Sequence, residues 1–155
     1  AANYPEAKFI MVGGQSGAEP DVFEQARDTA AKLPNVEFCG AVPAVEPYLD
    51  KATILLNTSR MEGFPTTFLE AWVRGIPTVS YFDPDGLTAK HGMGIIGTDQ
   101  KSIMEGVGRI LEDENLRGTM GAIGRQYVMD HHTPDVVAER VLKVMEQAIE
   151  KARKA

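Results

Sequence analysis

The chain has 155 residues, of which 43% are hydrophobic and 25% are charged, and its 16 Lys and Arg against 22 Asp and Glu give a net charge of −6. This composition is typical of a globular domain and excludes disordered, collagen-like and coiled-coil proteins. An acidic chain without a basic stripe would be repelled by phosphate backbones, so nucleic acid is not an expected partner.

The sequence also gives no sign of a membrane or secreted protein. No apolar stretch approaches the roughly 18 residues that span a bilayer. The first residues, AANYPEAK, lack the charged and apolar regions of a signal peptide. A single cysteine, Cys39, cannot form an internal disulfide, and seven methionines suit a reducing compartment. A cytoplasmic location is therefore expected.

Short apolar runs alternate with helix-like segments along the chain, which predicts βα units and a mostly parallel sheet. The expected elements, in chain order, are strand 8–12, helix 20–33, strand 36–39, a short segment 45–51, strand 53–57, helix 65–74, strand 78–82, an irregular loop 82–94, a short strand 95–96, and helices 99–112, 114–130 and 134–152.

Helix boundaries are predicted from proline, glycine and threonine. Pro65 suits the first position of its helix, and Gly75 suits the position after the helix end. Thr133 and Pro134 form an N-cap and N1 pair for the last helix. That helix has one apolar face, made by Val137, Val141, Val144, Met145 and Ala148.

The segment EGFPTTFLE, residues 62–70, joins a strand end, a helix start and two carboxylates. In parallel α/β sheets, ligands bind at the carboxyl ends of strands, where a helix N-terminus offers free N–H groups to anions. If the helix begins at Pro65, the free donors are those of Thr66, Thr67 and Phe68. Glu62 and Glu70 would lie about 10–12 Å apart, at about 1.5 Å per helical residue.

Carboxylates accept hydrogen bonds from sugar hydroxyls. A nucleotide sugar has a hexose, a diphosphate and a ribose in this order, which matches a first carboxylate, the helix N-terminus and a second carboxylate. The spacing by itself leaves the alternative open, because a glutamate near a helix start is also ordinary dipole chemistry.

The run EGFPTTFLEAWVRGIPTVS (62–80) resembles the E-x7-E segment of the retaining glycosyltransferases of family 4 (glycosyl transferases group 1). Similarity in the same order is seen for KFIMVGG (8–14), VEFCG (36–40), ATILLNTS (52–59) and GIPTVS (75–80). The resemblance implies a Rossmann-like parallel α/β sheet flanked by helices. It places residues 1–155 in the C-terminal, donor-binding half of the GT-B architecture.

By this resemblance, Glu62 is the catalytic residue and contacts hydroxyls of the transferred sugar, and Glu70 contacts the ribose hydroxyls. The segment implied to lie against the sugar and phosphates consists of Gly63, Phe64, Pro65, Thr66 and Thr67. Pro65 stands where many family members have glycine. The nucleotide base is expected near the loop after Gly40. The donor is a nucleotide diphosphate sugar, and neither a cofactor nor a metal is expected.

The resemblance also implies that parts of the enzyme are missing. Family members carry an upstream strand and helix with a basic pair that grips the diphosphate, preceded by an acceptor domain. The start AANYPEAKF looks like the tail of that helix. The chain is therefore expected to be an N-terminally truncated donor domain that binds donor weakly and transfers nothing by itself.

Loss of the central strand would expose strand edges. We expect the gap to be closed by pairing of strands 8–12 and 53–57 or by a partner chain, with a homodimer through exposed edges as one form. Peripheral membrane association of the full-length enzyme is a further expectation.

Two alternative functions are compatible with the sequence: a nucleotide-sugar 2-epimerase, which shares the GT-B architecture, and a catalytically silent nucleotide-sugar-binding or assembly module in polysaccharide biosynthesis. The segment 83–86 (DPDG) is similar to the metal-binding DxD signature of other glycosyltransferases, but we favour a turn there. His131 and His132 are adjacent and do not share a helix face, so a metal pair is not expected.

Overall fold

The computed structural model describes residues 1–15 and 20–154. The chain forms two compact units, Ala1–Lys51 and Ala52–Ala155. The prediction that residues 1–155 form a single domain stays a prediction.

The first unit contains strand β1 (Phe9–Val12), helix α1 (Pro20–Ala30), strand β2 (Val36–Gly40) and helix α2 (Glu46–Leu49). β1 and β2 pair in parallel, with Phe9 opposite Val36. Asn35 fixes the segment before β1, because its side-chain amide donates to the carbonyls of Ala1, Tyr4 and Ala7 at 2.9–3.1 Å. Predicted strands 8–12 and 36–39 are thus confirmed, with ends shifted by one residue.

The second unit holds a three-stranded parallel sheet in the order β3, β4, β5. Its elements are β3 (Leu55–Asn57), α3 (Thr66–Val73), β4 (Thr78–Ser80), a 3-10 turn (Pro84–Gly86), α4 (Leu87–His91), β5 (Gly94–Ile96), α5 (Gln100–Glu112), α6 (Glu114–His131) and α7 (Pro134–Arg153). Because the strands are parallel, their carboxyl ends share one edge of the sheet. The prediction of parallel α/β structure is confirmed.

The core of the second unit lies around α3. Phe68 and Trp72 are fully buried, and their rings meet edge to face at 5.6 Å. Helix α6 can approach α3 because glycine stands at the crossing: a Cβ on Gly121 would lie 2.1 Å from the carbonyl oxygen of Gly75. This close packing fixes the position of α3.

The start of α3 differs from the prediction by one residue. Pro65 is the N-cap, with ψ of 117°, and the helix begins at Thr66. The carbonyl of Pro65 accepts the first helical hydrogen bond, from the N–H of Phe68 at 3.0 Å. The φ of −70° fits either position, so proline alone could not distinguish N1 from the N-cap.

The predicted end of α3 is confirmed. Gly75 has φ of +72°, and its N–H donates to the carbonyl of Trp72 at 2.8 Å. The next N–H, of Ile76, donates to the carbonyl of Ala71 at 3.0 Å. These two bonds form a Schellman motif, for which glycine is the favoured residue.

The irregular loop predicted at 82–94 is more ordered than expected, since it contains the 3-10 turn and α4. The carboxylate of Asp83 accepts the N–H groups of Thr88 at 2.8 Å and Ala89 at 3.2 Å, and so stabilises the start of α4. Asp85 lies in the left-handed region, with φ of 51°. The turn predicted at 83–86 is confirmed.

Helix α7 begins as predicted, with Thr133 as its N-cap, although the Thr133 side chain makes no capping hydrogen bond. Its apolar face points outward: Val137, Val141, Val144 and Met145 are 42–65% exposed. Among residues 1–15 and 20–154, no helix is long and apolar enough to cross a membrane.

The described ladders lie within the units: β1 pairs with β2, and β3 pairs with β4 and β4 with β5. Pairing of strands 8–12 and 53–57 and pairing with another chain both stay predictions.

Candidate functional site

The candidate site lies where β3 ends and α3 begins, at the carboxyl edge of the second sheet. Asn57, the last residue of β3, organises the connection. Its Oδ1 accepts the N–H of Ser59 at 2.8 Å, and its Nδ2 donates to Oε1 of Glu62 at 3.4 Å. The side-chain amide thus bends the chain after the strand and holds the half-buried Glu62 carboxylate just before the helix.

The N-terminus of α3 presents fewer free donors than expected. Phe68 was predicted to offer its N–H, but this group donates to the carbonyl of Pro65. The N–H groups of Thr66 and Thr67 precede the first helical hydrogen bond. Both threonines are exposed, and their hydroxyls lie at the same end of the helix. This end carries the positive pole of the helix dipole and suits an anion.

Glu70 lies one turn into α3 and is half-buried. Its Oε2 is buried and has no hydrogen-bond partner in the described parts of the chain, 1–15 and 20–154. A buried polar atom without a partner costs about 1–3 kcal/mol, and more when the group is charged. Glu70 therefore holds an acceptor that a ligand hydroxyl could satisfy.

Two further side chains at this edge were not found from the sequence. The guanidinium of Arg60 lies over the ring of Tyr81, 4.6 Å from its centroid. Arg60 follows β3 and Tyr81 follows β4, so parallel pairing brings them together. A cation stacked on an aromatic face is favourable by about 0.5–1 kcal/mol at exposed sites. Their placement after neighbouring strands was the available signal.

Phe64 is the other residue whose environment sequence reasoning missed. Phe64 is 37% exposed, and its ring packs against the ring of His132 with 5.5 Å between centroids. Met61 in the same connection is 88% exposed. Phe64 therefore anchors the connection from β3 to α3, whereas Met61 does not.

This edge combines two carboxylates with free acceptor capacity, helix N–H donors and one guanidinium. Carboxylates bind hydroxyl groups, and the helix end binds an anion, so the geometry suits a phosphorylated polyol. Within the described residues, no group of three or more His, Cys, Asp or Glu side chains is placed to hold a metal ion.

Comparison with known proteins identifies the family. The family model of glycosyl transferases group 1 matches residues 1–113, which is more than half of the chain. The chain belongs to the glycosyl transferases group 1 family. The family resemblance of the sequence motifs is thereby confirmed.

Two curated relatives of this group 1 glycosyltransferase chain carry transferase names. A GDP-mannose-dependent monoacylated alpha-(1-6)-phosphatidylinositol monomannoside mannosyltransferase of Corynebacterium glutamicum is 25% identical over 154 residues. An N,N'-diacetylbacillosaminyl-diphospho-undecaprenol alpha-1,3-N-acetylgalactosaminyltransferase of Campylobacter jejuni is 26% identical over 149 residues. The alignments cover 92% and 93% of this chain, but 39% and 38% of the relatives.

A solved structure supports the fold of this group 1 glycosyltransferase chain. Anabaena HepE in complex with UDP superposes with a TM-score of 0.80 at 18% identity. The match covers 92% of this chain and 42% of HepE. At this identity the likeness shows the fold, and the predicted fold class is confirmed. The chain spans about two fifths of the length of these two relatives and of HepE.

Proposed function

We propose that the chain is the donor-binding part of a glycosyltransferase that uses a nucleotide diphosphate sugar and transfers a hexosyl group with retention. Membership of the group 1 family supports this proposal. The relatives are named as a GDP-mannose-dependent mannosyltransferase and an N-acetylgalactosaminyltransferase, and HepE was solved with UDP. The acceptor would be held by an acceptor domain of the whole enzyme.

The observation that carries the proposal is the unpartnered Oε2 of Glu70 beside a free helix N-terminus. A structural carboxylate would be paired with a neighbouring donor, because an unpaired one costs stability. This acceptor lies within one helical turn of two free N–H groups. It could therefore bind a ribose hydroxyl while the N–H groups bind the adjacent diphosphate. We assign Glu70 to the ribose hydroxyls.

We assign Glu62 to the hydroxyls of the transferred sugar, with a catalytic role. Asn57 occupies Oε1 of Glu62, and the carboxylate keeps further acceptor capacity, because an ionised carboxylate has about four lone-pair sites. Groups that orient the donor and stabilise the leaving diphosphate act by electrostatic catalysis, so losing Glu62 should reduce turnover as well as affinity.

We assign Gly63, Phe64, Pro65, Thr66 and Thr67 to contacts with the sugar and phosphates. Thr66 and Thr67 offer their N–H groups, whereas Pro65 has none. A helix N-terminus favours an adjacent anion by about 0.3–2 kcal/mol, which is small for a diphosphate. Arg60 is the cation at this edge, but its guanidinium is stacked on Tyr81. We therefore expect this chain to bind donor weakly and to transfer no sugar by itself.

Calorimetry of this chain against UDP-, GDP- and ADP-sugars tests the proposal. We expect saturable binding of one donor class, weakened by Glu62→Ala. Glu105→Ala is the matched control, because Glu105 is an exposed glutamate on α5 paired with Lys101 at 3.7 Å. Equal affinity for Glu62→Ala and the control would contradict the assignment of Glu62. Turnover by the chain alone would contradict the predicted dependence on an acceptor domain.

The 2-epimerase alternative is not favoured, because the family and the two named relatives are transferases. The silent binding module stays an alternative; it predicts saturable donor binding without transfer even when an acceptor domain is supplied. Cytoplasmic location, a homodimer and peripheral membrane association stay predictions.

A further inference from the structure

The three histidines of the sequence meet around one tyrosine of α6. The ring of Tyr127 lies 5.1 Å from His91, 4.7 Å from His131 and 5.5 Å from His132, between ring centroids. On another side, Tyr127 meets the fully buried Trp72 edge to face at 6.0 Å. The cluster is therefore anchored in the core beneath α3.

His131 and His132 have different surroundings. His131 is tied to α7: Nη1 of Arg140 donates to its carbonyl at 3.0 Å, and Nη2 of Arg140 lies 2.9 Å from its Nδ1. Because a guanidinium can only donate, this Nδ1 accepts. The ring of His132 packs instead against Phe64, in the connection between β3 and α3.

The backbone of His132 is well fixed. It is the C-cap of α6, and its N–H donates to the carbonyl of Val128 at 2.8 Å. The ring of His132 is therefore carried on a fixed backbone position, in contact with Phe64. Around Gly63 the surroundings are open, because a Cβ there would meet nothing within 4 Å. Beside the bond from Asn57 to Glu62, the Phe64 side chain thus supplies a second contact that supports this segment.

We propose that His132 is a positioning residue for donor binding: its ring holds Phe64, and thereby the backbone from Gly63 to Thr66, in the conformation that receives the donor. This proposal rests on the proposed function of the Glu62–Glu70 segment. A segment ordered before binding loses less conformational freedom when the ligand arrives, so pre-ordering strengthens affinity. His132 itself need not touch the donor.

Three variants of the chain test this role. His132→Ala removes the ring, and His132→Phe keeps an aromatic ring at the same place. His91→Ala is the matched control, because it also removes a ring that contacts Tyr127. His91 lies on α4 and has no ring contact with Phe64 among the described residues. If His132→Ala fails to fold, His132→Leu replaces it, since leucine fills space without presenting a flat ring.

Two readouts are measured on each variant. Amide hydrogen exchange at Phe64 and Thr66 reports local order without any ligand. Calorimetry with UDP or GDP, whichever binds the unmodified chain, gives the affinity. We expect His132→Ala to increase the amide exchange rate roughly tenfold and to raise Kd roughly tenfold, because the segment is no longer ordered before binding. His132→Phe should restore both values to within about twofold, and His91→Ala should leave both near those of the unmodified chain.

The outcomes separate this proposal from the proposed function. If no nucleotide binds any variant or the unmodified chain, the proposed function fails, and the exchange rates still decide the role of His132. Unchanged exchange in His132→Ala would overturn that role. An equal change in His91→Ala would also overturn it, because the effect would then belong to the stability of the whole cluster. Failure of His132→Phe to restore either value would argue against an aromatic support.

Discussion

Replacement of Glu70 by leucine should have opposite effects on donor affinity and on stability. In the free chain, Oε2 of Glu70 is buried without a partner in the described residues. Removing such a group recovers about 1–3 kcal/mol of unfolding free energy. At about 2–4 °C per kcal/mol for a chain of this size, Tm should rise by a few degrees. Leucine has no polar atom and avoids a cavity.

Affinity should change in the other direction. If Oε2 accepts a ribose hydroxyl in the complex, the variant loses a hydrogen bond to a charged group, which contributes about 1.5–3 kcal/mol. Kd for the nucleotide should therefore increase by about 10- to 150-fold, at about 1.4 kcal/mol per factor of ten. Thermal unfolding followed by circular dichroism and titration calorimetry measure the two quantities on the same sample.

The matched control is Glu105→Leu. Glu105 is also a helical glutamate, but it is exposed and paired with Lys101. This variant should leave Kd unchanged and should not raise Tm. Glu70→Leu with unchanged Kd would refute the ribose contact. Glu70→Leu with a lowered Tm would refute the argument from the unpartnered oxygen.

Three further predictions concern stability. Gly121→Ala should lower the unfolding free energy by about 1–3 kcal/mol, since its Cβ would meet the Gly75 carbonyl oxygen at 2.1 Å. Gly118→Ala is the control on the same helix: its Cβ would have open space, and the variant should raise the unfolding free energy by up to about 1 kcal/mol. Equal urea midpoints for the two variants would contradict this prediction. Burial, with nearby positive charge, lowers the pKa of His132, so the unfolding free energy should fall as pH drops below about 6.5. An equally steep fall in His132→Phe would contradict this prediction. Asp113→Ala removes the N-cap of α6, whose carboxylate accepts the N–H of Leu116 at 2.8 Å. The unfolding free energy should fall by about 0.5–2 kcal/mol, seen as a lower Tm, and an unchanged Tm would argue against that cap.

A lowered pKa means that the folded chain binds the His132 proton less readily than the unfolded chain does. The stabilising contribution is therefore complete above the ordinary histidine pKa and is lost as pH falls toward the lowered value. Burial is the larger cause, and the positive charge of Arg140 would also repel a protonated His132 ring.

Most of the fold was predictable from local signals. Apolar runs gave the strands, and Gly75 gave the end of α3, because a left-handed residue is required there. The predicted start of α3 was wrong by one residue, since the fixed φ of Pro65 suits both the N-cap and the first helical position. Helix α4 was missed because five residues are too few for a helical pattern; the carboxylate of Asp83 stabilises its start.

The candidate site was predictable only in part. Glu62 and Glu70 lie in one short motif, and the parallel sheet puts that motif at a strand end. The contact of Phe64 with His132 depends on how α6 ends, and that of Arg60 with Tyr81 depends on the pairing of β3 with β4. Such contacts join residues far apart in sequence and arise from tertiary packing. The outward direction of the apolar face of α7 likewise could not be predicted from its periodicity.

The proposed donor site is tested most directly by an NMR titration of this chain with UDP-, GDP- and ADP-sugars. We expect one donor class to produce saturable shifts of the backbone amides of Thr66 and Thr67, and we expect Glu70→Leu to weaken this response. Saturable binding whose shifts lie elsewhere on the chain would contradict the proposed site. The absence of a response to all three donor classes would contradict the proposed function.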